Sequence, residues 1–250
     1  MIDLERSIIK ISGSDIHSFL QGLTTQDINK LNEFGISYSF MLNAQGRFMY
    51  DFFLHYQSQN TIYIDINHNF TDSFISKLKF YKLKNDVNIE LCQNLYINLE
   101  ENFWQNFKGG AISRSITENK NLPKINVIDN NFNRIVNNIP DGYYDLEQAK
   151  SIILEFGAEE LNAIDFDKGC YVGQELMTRT KRLGQIRKKI FTITGSNQFP
   201  PKYTKIMQNN AEVGILLSSC QNLALAQLKF ELLSGKQLTI SDSNYEICNP

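Results

Sequence analysis

From residue 190 onward the chain carries only short apolar runs of β character, at 190–194, 212–217, 223–228 and 237–240, with no stretch of helical period between them. Several short strands separated by turn residues cannot form an open sheet of useful size. They predict a small closed β-barrel or a sandwich, within which the Pro200-Pro201 pair falls just after the first strand. The first 189 residues read differently, because strand and helix patterns alternate there. Residues 7–12 alternate as a strand and stop at Gly13, after which Ser14-Asp15 can cap a helix over 17–21. Asn43-Ala44-Gln45-Gly46 is a turn-forming quartet between apolar runs at 40–42 and 48–54, the signature of a hairpin. Further strands are predicted at 61–66, 87–91, 95–99 and 111–116. Helices are predicted at 69–80, where Phe70, Phe74 and Leu78 share a face, at 146–155 and at 173–182. The fold class is therefore α+β, with residues 1–189 as one region and 190–250 as a C-terminal barrel-like part.

Charge and composition narrow the partners. Twenty-five Lys and Arg against 27 Asp and Glu leave a net charge of −2, so no field of the whole molecule draws it to nucleic acid or membrane. The opening Met1-Ile2-Asp3-Leu4-Glu5-Arg6 lacks the basic-then-apolar pattern of a secretory signal, and no apolar run is long enough to span a bilayer; the expectation is a cytoplasmic protein. Cys92, Cys170, Cys220 and Cys248 stand far apart, without a Cys-x-x-Cys pair, and His17, His55 and His68 offer no ligand or triad spacing. No resident metal is expected, and hydrolase chemistry has no motif to stand on.

One segment does carry chemistry. In Lys168-Gly169-Cys170-Tyr171-Val172-Gly173-Gln174-Glu175 a thiol follows an ammonium by two residues, between glycines that permit a sharp turn. In an extended backbone Lys168 and Cys170 face the same way, so the ammonium and a helix starting near Gly173 would favour the thiolate. A small cysteine packed in a tight turn is the equally weighted alternative. Directly after it, Arg179, Lys181, Arg182, Arg187, Lys188 and Lys189 form a basic stretch, suited to an anionic tail or a phosphate backbone, or simply to a solvated face.

The same eight residues resemble the signature of the YgfZ family, relatives of the glycine-cleavage aminomethyltransferase. The resemblance extends to Gly13-Ser14-Asp15, to 19–27 (Phe-Leu-Gln-Gly-Leu-Thr-Thr-Gln-Asp), to Leu42-Asn43-Ala44-Gln45-Gly46-Arg47 with Asp51, to 78–87, to Arg134-Ile135, to Ile139-Pro140-Asp141-Gly142 and to Leu154-Glu155, in family order. It implies a ring of subdomains around a central folate pocket, followed by the barrel. It further implies tetrahydrofolate as cofactor, with Asp51 near its reactive nitrogens, and Lys168, Gly169, Cys170, Tyr171, Gly173, Gln174, Glu175 and Arg179 at the pocket's edge. The implied function is that of an accessory protein for iron-sulfur cluster assembly or repair, with iron-sulfur clients as partners and an indirect link to tRNA modification. A one-carbon transferase in which Asp51 is catalytic, and a tRNA-modification factor acting through the basic stretch, are the alternatives. The resemblance departs at Val136, where the family's pterin-reading glutamate is expected, and at Ile153, where it has proline.

Overall fold

The computed structural model describes residues 2–3, 5–100, 102–108, 112–184, 186–195 and 198–248. In chain order the first region runs β1 (Ile2–Asp3), β2 (Arg6–Ser12), α1 (Ile16–Gln21), α2 (Leu31–Phe34), β3 (Ile36–Leu42), β4 (Phe48–Ser58), β5 (Thr61–Asn67) and α3 (Thr71–Lys82). It continues β6 (Asn88–Cys92), β7 (Tyr96–Leu99), α4 (Phe103–Lys108), β8 (Arg114–Thr117), α5 (Val127–Val136), α6 (Gly142–Asp145) and α7 (Gln174–Arg182). The predicted strand at 111–116 is β8; Ala111 lies outside the described residues.

Five antiparallel strands make the main sheet, in the order β3-β4-β5-β2-β6, and β1-β7-β8 make a second one. The alternation of β4 decides what each face does. Phe52 and Tyr50 pack against Phe74 of α3, at ring distances of 5.1 Å each, and seal that face with apolar surface. The next positions along β4, Asp51, Phe53 and His55, turn to the other face. Across from Phe53 stand Tyr38 of β3 and Asp65 of β5. The register of three strands thus gathers two carboxylates and two rings on one face.

The strand series after residue 188 closes into a six-stranded barrel: β9 (Lys189–Gly195), β10 (Lys205–Gln208), β11 (Ala211–Cys220), β12 (Leu223–Leu228), β13 (Gln237–Ile240) and β14 (Ser243–Ile247), in the order β10-β11-β12-β9-β14-β13. Its interior is a separate apolar cluster around Ile193, Ile206, Leu216, Ala226 and Leu238. Two of its strands, β10 and β14, have no counterpart in the sequence reading. Gln208, Asn209 and Asn210, and Ser241 to Ser243 at the other strand, blur their patterns.

The helix expected at 146–155 does not form. Ala149 adopts φ +61° and its N–H bonds the Phe48 carbonyl, while Phe48 N–H bonds the Ser151 carbonyl, so the segment lies along the start of β4. Its last residues, Ile153–Phe156, close as a single 3₁₀ turn. Backbone bonding to a neighbouring strand outcompetes a helical period here. Conversely α5 escapes the sequence reading because its surroundings are asparagine-rich, yet Asn126 caps it by accepting from the Ile128 N–H at 3.0 Å.

Among the described residues no helix is long and apolar enough to cross a membrane.

Candidate functional site

The motif residues 168–175 pack against the segment 21–26, so two of the sequence blocks meet in space. Val172 N–H bonds the Gly22 carbonyl and Asp165 N–H the Thr25 carbonyl, both at 3.0 Å. Lys168 is the rivet. Its Nζ donates to the carbonyls of Gln21, Thr24 and Gln26 at 2.9, 2.7 and 2.9 Å and lies 5.0 Å from the centre of the Tyr171 ring. Burial pulls this ammonium down to about 8, with Asp27 and Asp165 opposing. The expectation that Lys168 faces and activates Cys170 is corrected by this geometry. The ammonium is committed to three carbonyl oxygens inside the loop, while Cys170 is turned to solvent.

What touches the thiol is Gln174. Its Nε2 donates to Cys170 Sγ at 3.4 Å and its Oε1 accepts from the Tyr171 N–H at 3.2 Å, so one carboxamide braces both sides of the turn. Tyr171 is buried beneath the loop; Gly169 and Glu175 are exposed. Gly173, at φ +86°, does what its sequence position suggested. A Cβ there would stand 2.5 Å from the Asn43 carbonyl oxygen and 2.9 Å from the Cα of Gly46. The β3–β4 hairpin tip and the motif turn therefore press glycine on glycine, and only a missing side chain allows it.

Asp51 belongs to a different place. It is buried at 5% exposure, and its Oδ2 accepts from the Tyr38 hydroxyl at 2.9 Å. Oδ1 is buried with no hydrogen-bond partner among the described residues. Burial, reinforced by Asp141, pushes its acid up to about 6, against the pull of Arg6. Gly142 presses so closely that a Cβ would lie 1.8 Å from Oδ1. Nearby, Asp65 is held between Arg6 and Arg114 at 2.6 and 2.5 Å, and the Arg114 guanidinium lies 4.0 Å over the Phe53 ring. These cations hold the Asp65 carboxyl well below the usual range, overcoming its burial. None of Tyr38, Asp65, Arg6 or Arg114 was singled out from sequence; the only signal was strand register, which becomes readable after pairing is known.

The cavity beside Asp51 measures about 30 Å³ and is walled by Tyr38, Phe53, Trp104, Phe107, Arg6 and Arg114. That is room for about one water, whereas small-molecule pockets run to about 300–1,000 Å³. A lone buried acceptor suits an N–H donor. No motif residue lines this cavity, so Asp51 and Cys170 are not brought together. Val136, where a pterin-reading residue was expected, is 48% exposed and faces a neighbouring cleft that shares Trp104 with the Asp51 cavity. Arg179 is exposed on α7, and Lys181 is paired with Glu159, so the basic stretch does not converge on Asp51 either. No group of three or more metal-ligating side chains occurs among the described residues.

Comparison with known proteins gives three results. Residues 187–250 match the family model of the CAF17 C-terminal beta-barrel domain. Over 222 residues the chain is 26% identical to the mitochondrial iron-sulfur cluster assembly factor IBA57 homolog of Mycosarcoma maydis, covering 76% of this chain and 55% of the relative. It is 23% identical over 280 residues to mitochondrial IBA57 of Homo sapiens, covering 92% and 77%. The chain thus spans little more than half the length of the Mycosarcoma maydis relative. These relatives are named as mitochondrial proteins, which overturns the cytoplasmic expectation; neither overall charge nor a missing secretory pattern reports the compartment. Among solved structures, the glycine cleavage system aminomethyltransferase T from Bartonella henselae superposes with a TM-score of 0.78 over 99% of this chain and 84% of that one, at 9% identity. The chain has the aminomethyltransferase fold, ends in a CAF17-type barrel and has IBA57-type iron-sulfur assembly factors among its homologues, as the YgfZ-type resemblance implied.

Proposed function

We propose that this protein is an accessory factor for iron-sulfur cluster assembly, working through Cys170 on its braced loop, with a tetrahydrofolate-class molecule as its small ligand. The observation that carries the reading is the contrast between Cys170 and its surroundings. Four motif residues are committed inward: Lys168 to three carbonyls, Tyr171 to the core, Gln174 to the turn, Gly173 to the hairpin tip. Of the exposed motif residues, Gly169, Cys170 and Glu175, Cys170 alone carries a soft nucleophile. A fixed, exposed sulfur suits contact with a cluster or sulfur held by another protein, because the frame loses little conformational entropy on binding. The kinship with iron-sulfur assembly factors supports the same assignment.

The folate half rests on the family resemblance, which puts Asp51, a buried acid beside the Arg6–Asp65–Arg114 cluster, near the ligand. Complementation tests the sulfur half: in cells lacking their own copy, native protein should restore iron-sulfur enzyme activity and Cys170→Ala should restore less than about a tenth of it. Full restoration by Cys170→Ala, at equal protein level, would remove the thiol from the function.

A further inference from the structure

Helix α3 ends in a protrusion that the site described above does not use. Its last turn carries Phe80, 69% exposed, and the residue that closes it, Leu83, is 86% exposed. Leu83 stands at φ +46°, on the left-handed side of the backbone map where glycine is at ease and leucine is strained. A helix end that needed only to stop would carry glycine there. Here a strained backbone holds a large apolar side chain out in water, beside a second one, and both strain and exposed apolar surface are features of contact sites. Cations surround the pair. Between residues 77 and 87 stand Lys77, Lys79, Lys82 and Lys84 against one acid, Asp86, in a chain whose net charge is −2. Asp86 Oδ2 is turned to the neighbouring segment, where the Ser14 N–H and hydroxyl donate to it at 3.2 and 2.8 Å. Lys77 Nζ lies 5.6 Å from the centre of the Phe80 ring and 5.4 Å from that of Tyr81, while Lys79 and Lys84 are exposed.

We propose that this helix end is a contact for an anionic lipid surface, with Phe80 and Leu83 entering the acyl boundary and the lysines meeting headgroup phosphates. Exposure decides between a bilayer and a protein partner. A side chain as open as Leu83 has no walls around it, so it cannot receive a partner's anchor and can only enter something else. A protein would need a pocket shaped for it, whereas a bilayer takes a protruding apolar side chain anywhere on its surface. Lysine stems lie along apolar surface while their ammonium groups stay at headgroup level, and each such charge adds to the attraction of an anionic leaflet. The slightly acidic whole molecule contributes nothing to this attraction, which is local to α3. Two inserted side chains give weak, reversible attachment, not a permanent anchor. The inference is independent of the Cys170 reading, and either stands if the other fails.

Co-sedimentation of the full chain with vesicles tests it, comparing pure phosphatidylcholine with phosphatidylcholine carrying about one third phosphatidylglycerol. Expected is partitioning about ten-fold or more stronger onto the anionic vesicles, declining as salt is raised. Lys79→Glu combined with Lys84→Glu should weaken it about ten-fold, and Phe80→Ser or Leu83→Gly about five-fold. Leu83→Gly also relieves the left-handed strain, so its urea midpoint should not fall, and weaker binding is then not a loss of fold. A Phe80→Trp protein should lose emission to bromine-labelled acyl chains beyond any loss from the native Trp104, which reports insertion directly. Absent binding at low salt, or binding unchanged in both Phe80→Ser and Leu83→Gly, overturns the proposal. So does a concentration-dependent doubling of mass without lipid that Leu83→Gly abolishes, which makes a second copy the occupant. Binding to poly-L-glutamate with the same residue dependence, and none to vesicles, overturns it in favour of an acidic protein.

Discussion

Two aspartates on one sheet face, Asp51 and Asp65, meet opposite electrostatic fates, and the difference lies in what surrounds them. Asp65 has two guanidiniums within 2.6 Å and remains ionised in a fully buried position. Asp51 has one tyrosine hydroxyl, the backbone of Gly142 and a nearby second acid, so its charge is poorly compensated. The consequence for stability follows from linkage. The folded protein holds the Asp51 proton up to about pH 6, while the unfolded chain releases it near the ordinary value of 3.8. Between those limits the folded state binds more protons, so this group's contribution to stability falls as pH rises from about 4 to about 6, by about 3 kcal/mol in all. Asp65 runs the other way: its contribution is present above the ordinary carboxylate range and is lost as pH falls below it. Asp51→Asn should therefore flatten the decline in urea midpoint between pH 4.5 and 7 while leaving the acid limb in place. An unchanged slope would show that Asp51 is not the group that titrates there. The same scale explains a misreading: Lys168 and Cys170 are two residues apart, but the Lys168 side chain finds three carbonyls on another segment before it can find the thiol.

At the scale of elements, the β3–β4 hairpin and the turn before α7 form one device. Each contributes a glycine with positive φ, Gly46 at +74° and Gly173 at +86°, and their backbones touch. Gly173→Ala would place a methyl group 2.5 Å from the Asn43 carbonyl in a conformation that L-residues avoid. The strain and the clash together should cost on the order of 2–4 kcal/mol. The expected signature is a lower urea midpoint and several-fold faster alkylation of Cys170, since the loop can relieve the clash only by lifting off the hairpin. Alkylation at the native rate would mean that the two turns are independent. Both turns were legible beforehand because glycines in turn sequences announce backbone freedom directly. The absence of a helix over 146–152 was not, because the Phe48 backbone bonds that replace it involve residues about a hundred positions away.

For the molecule as a whole, the barrel is joined to the first region through a buried ion pair. Asp145 of α6 accepts from Arg134 Nη1 at 2.8 Å and from the Ser218 N–H of β11 at 2.8 Å, and Arg134 Nη2 reaches the Ser218 hydroxyl. Asn138 and Thr192 add bonds between the end of α5 and β9. Asp145→Asn would leave a fully buried guanidinium without its counter-charge, an effect of about 3–5 kcal/mol. Urea unfolding should show that loss, whereas a change below about 1 kcal/mol would mean that apolar contact alone holds the two parts together.

Local periodicity and turn chemistry were enough, from sequence alone, for the α+β class, four of the six barrel strands, the hairpin and the helix that follows the cysteine motif. Those features depend on neighbours within a few residues, where backbone sterics and side-chain alternation act. Tertiary structure alone decided that Lys168 is a rivet and not an activator, and that Asp51 is buried beside a two-arginine cluster. Each of these depends on strand register or on segments more than a hundred residues apart, such as Gln21 and Lys168, meeting through the fold. The order of residues along the chain carries no direct record of such meetings, because long-range contacts are selected by packing of the whole core and not by any local preference.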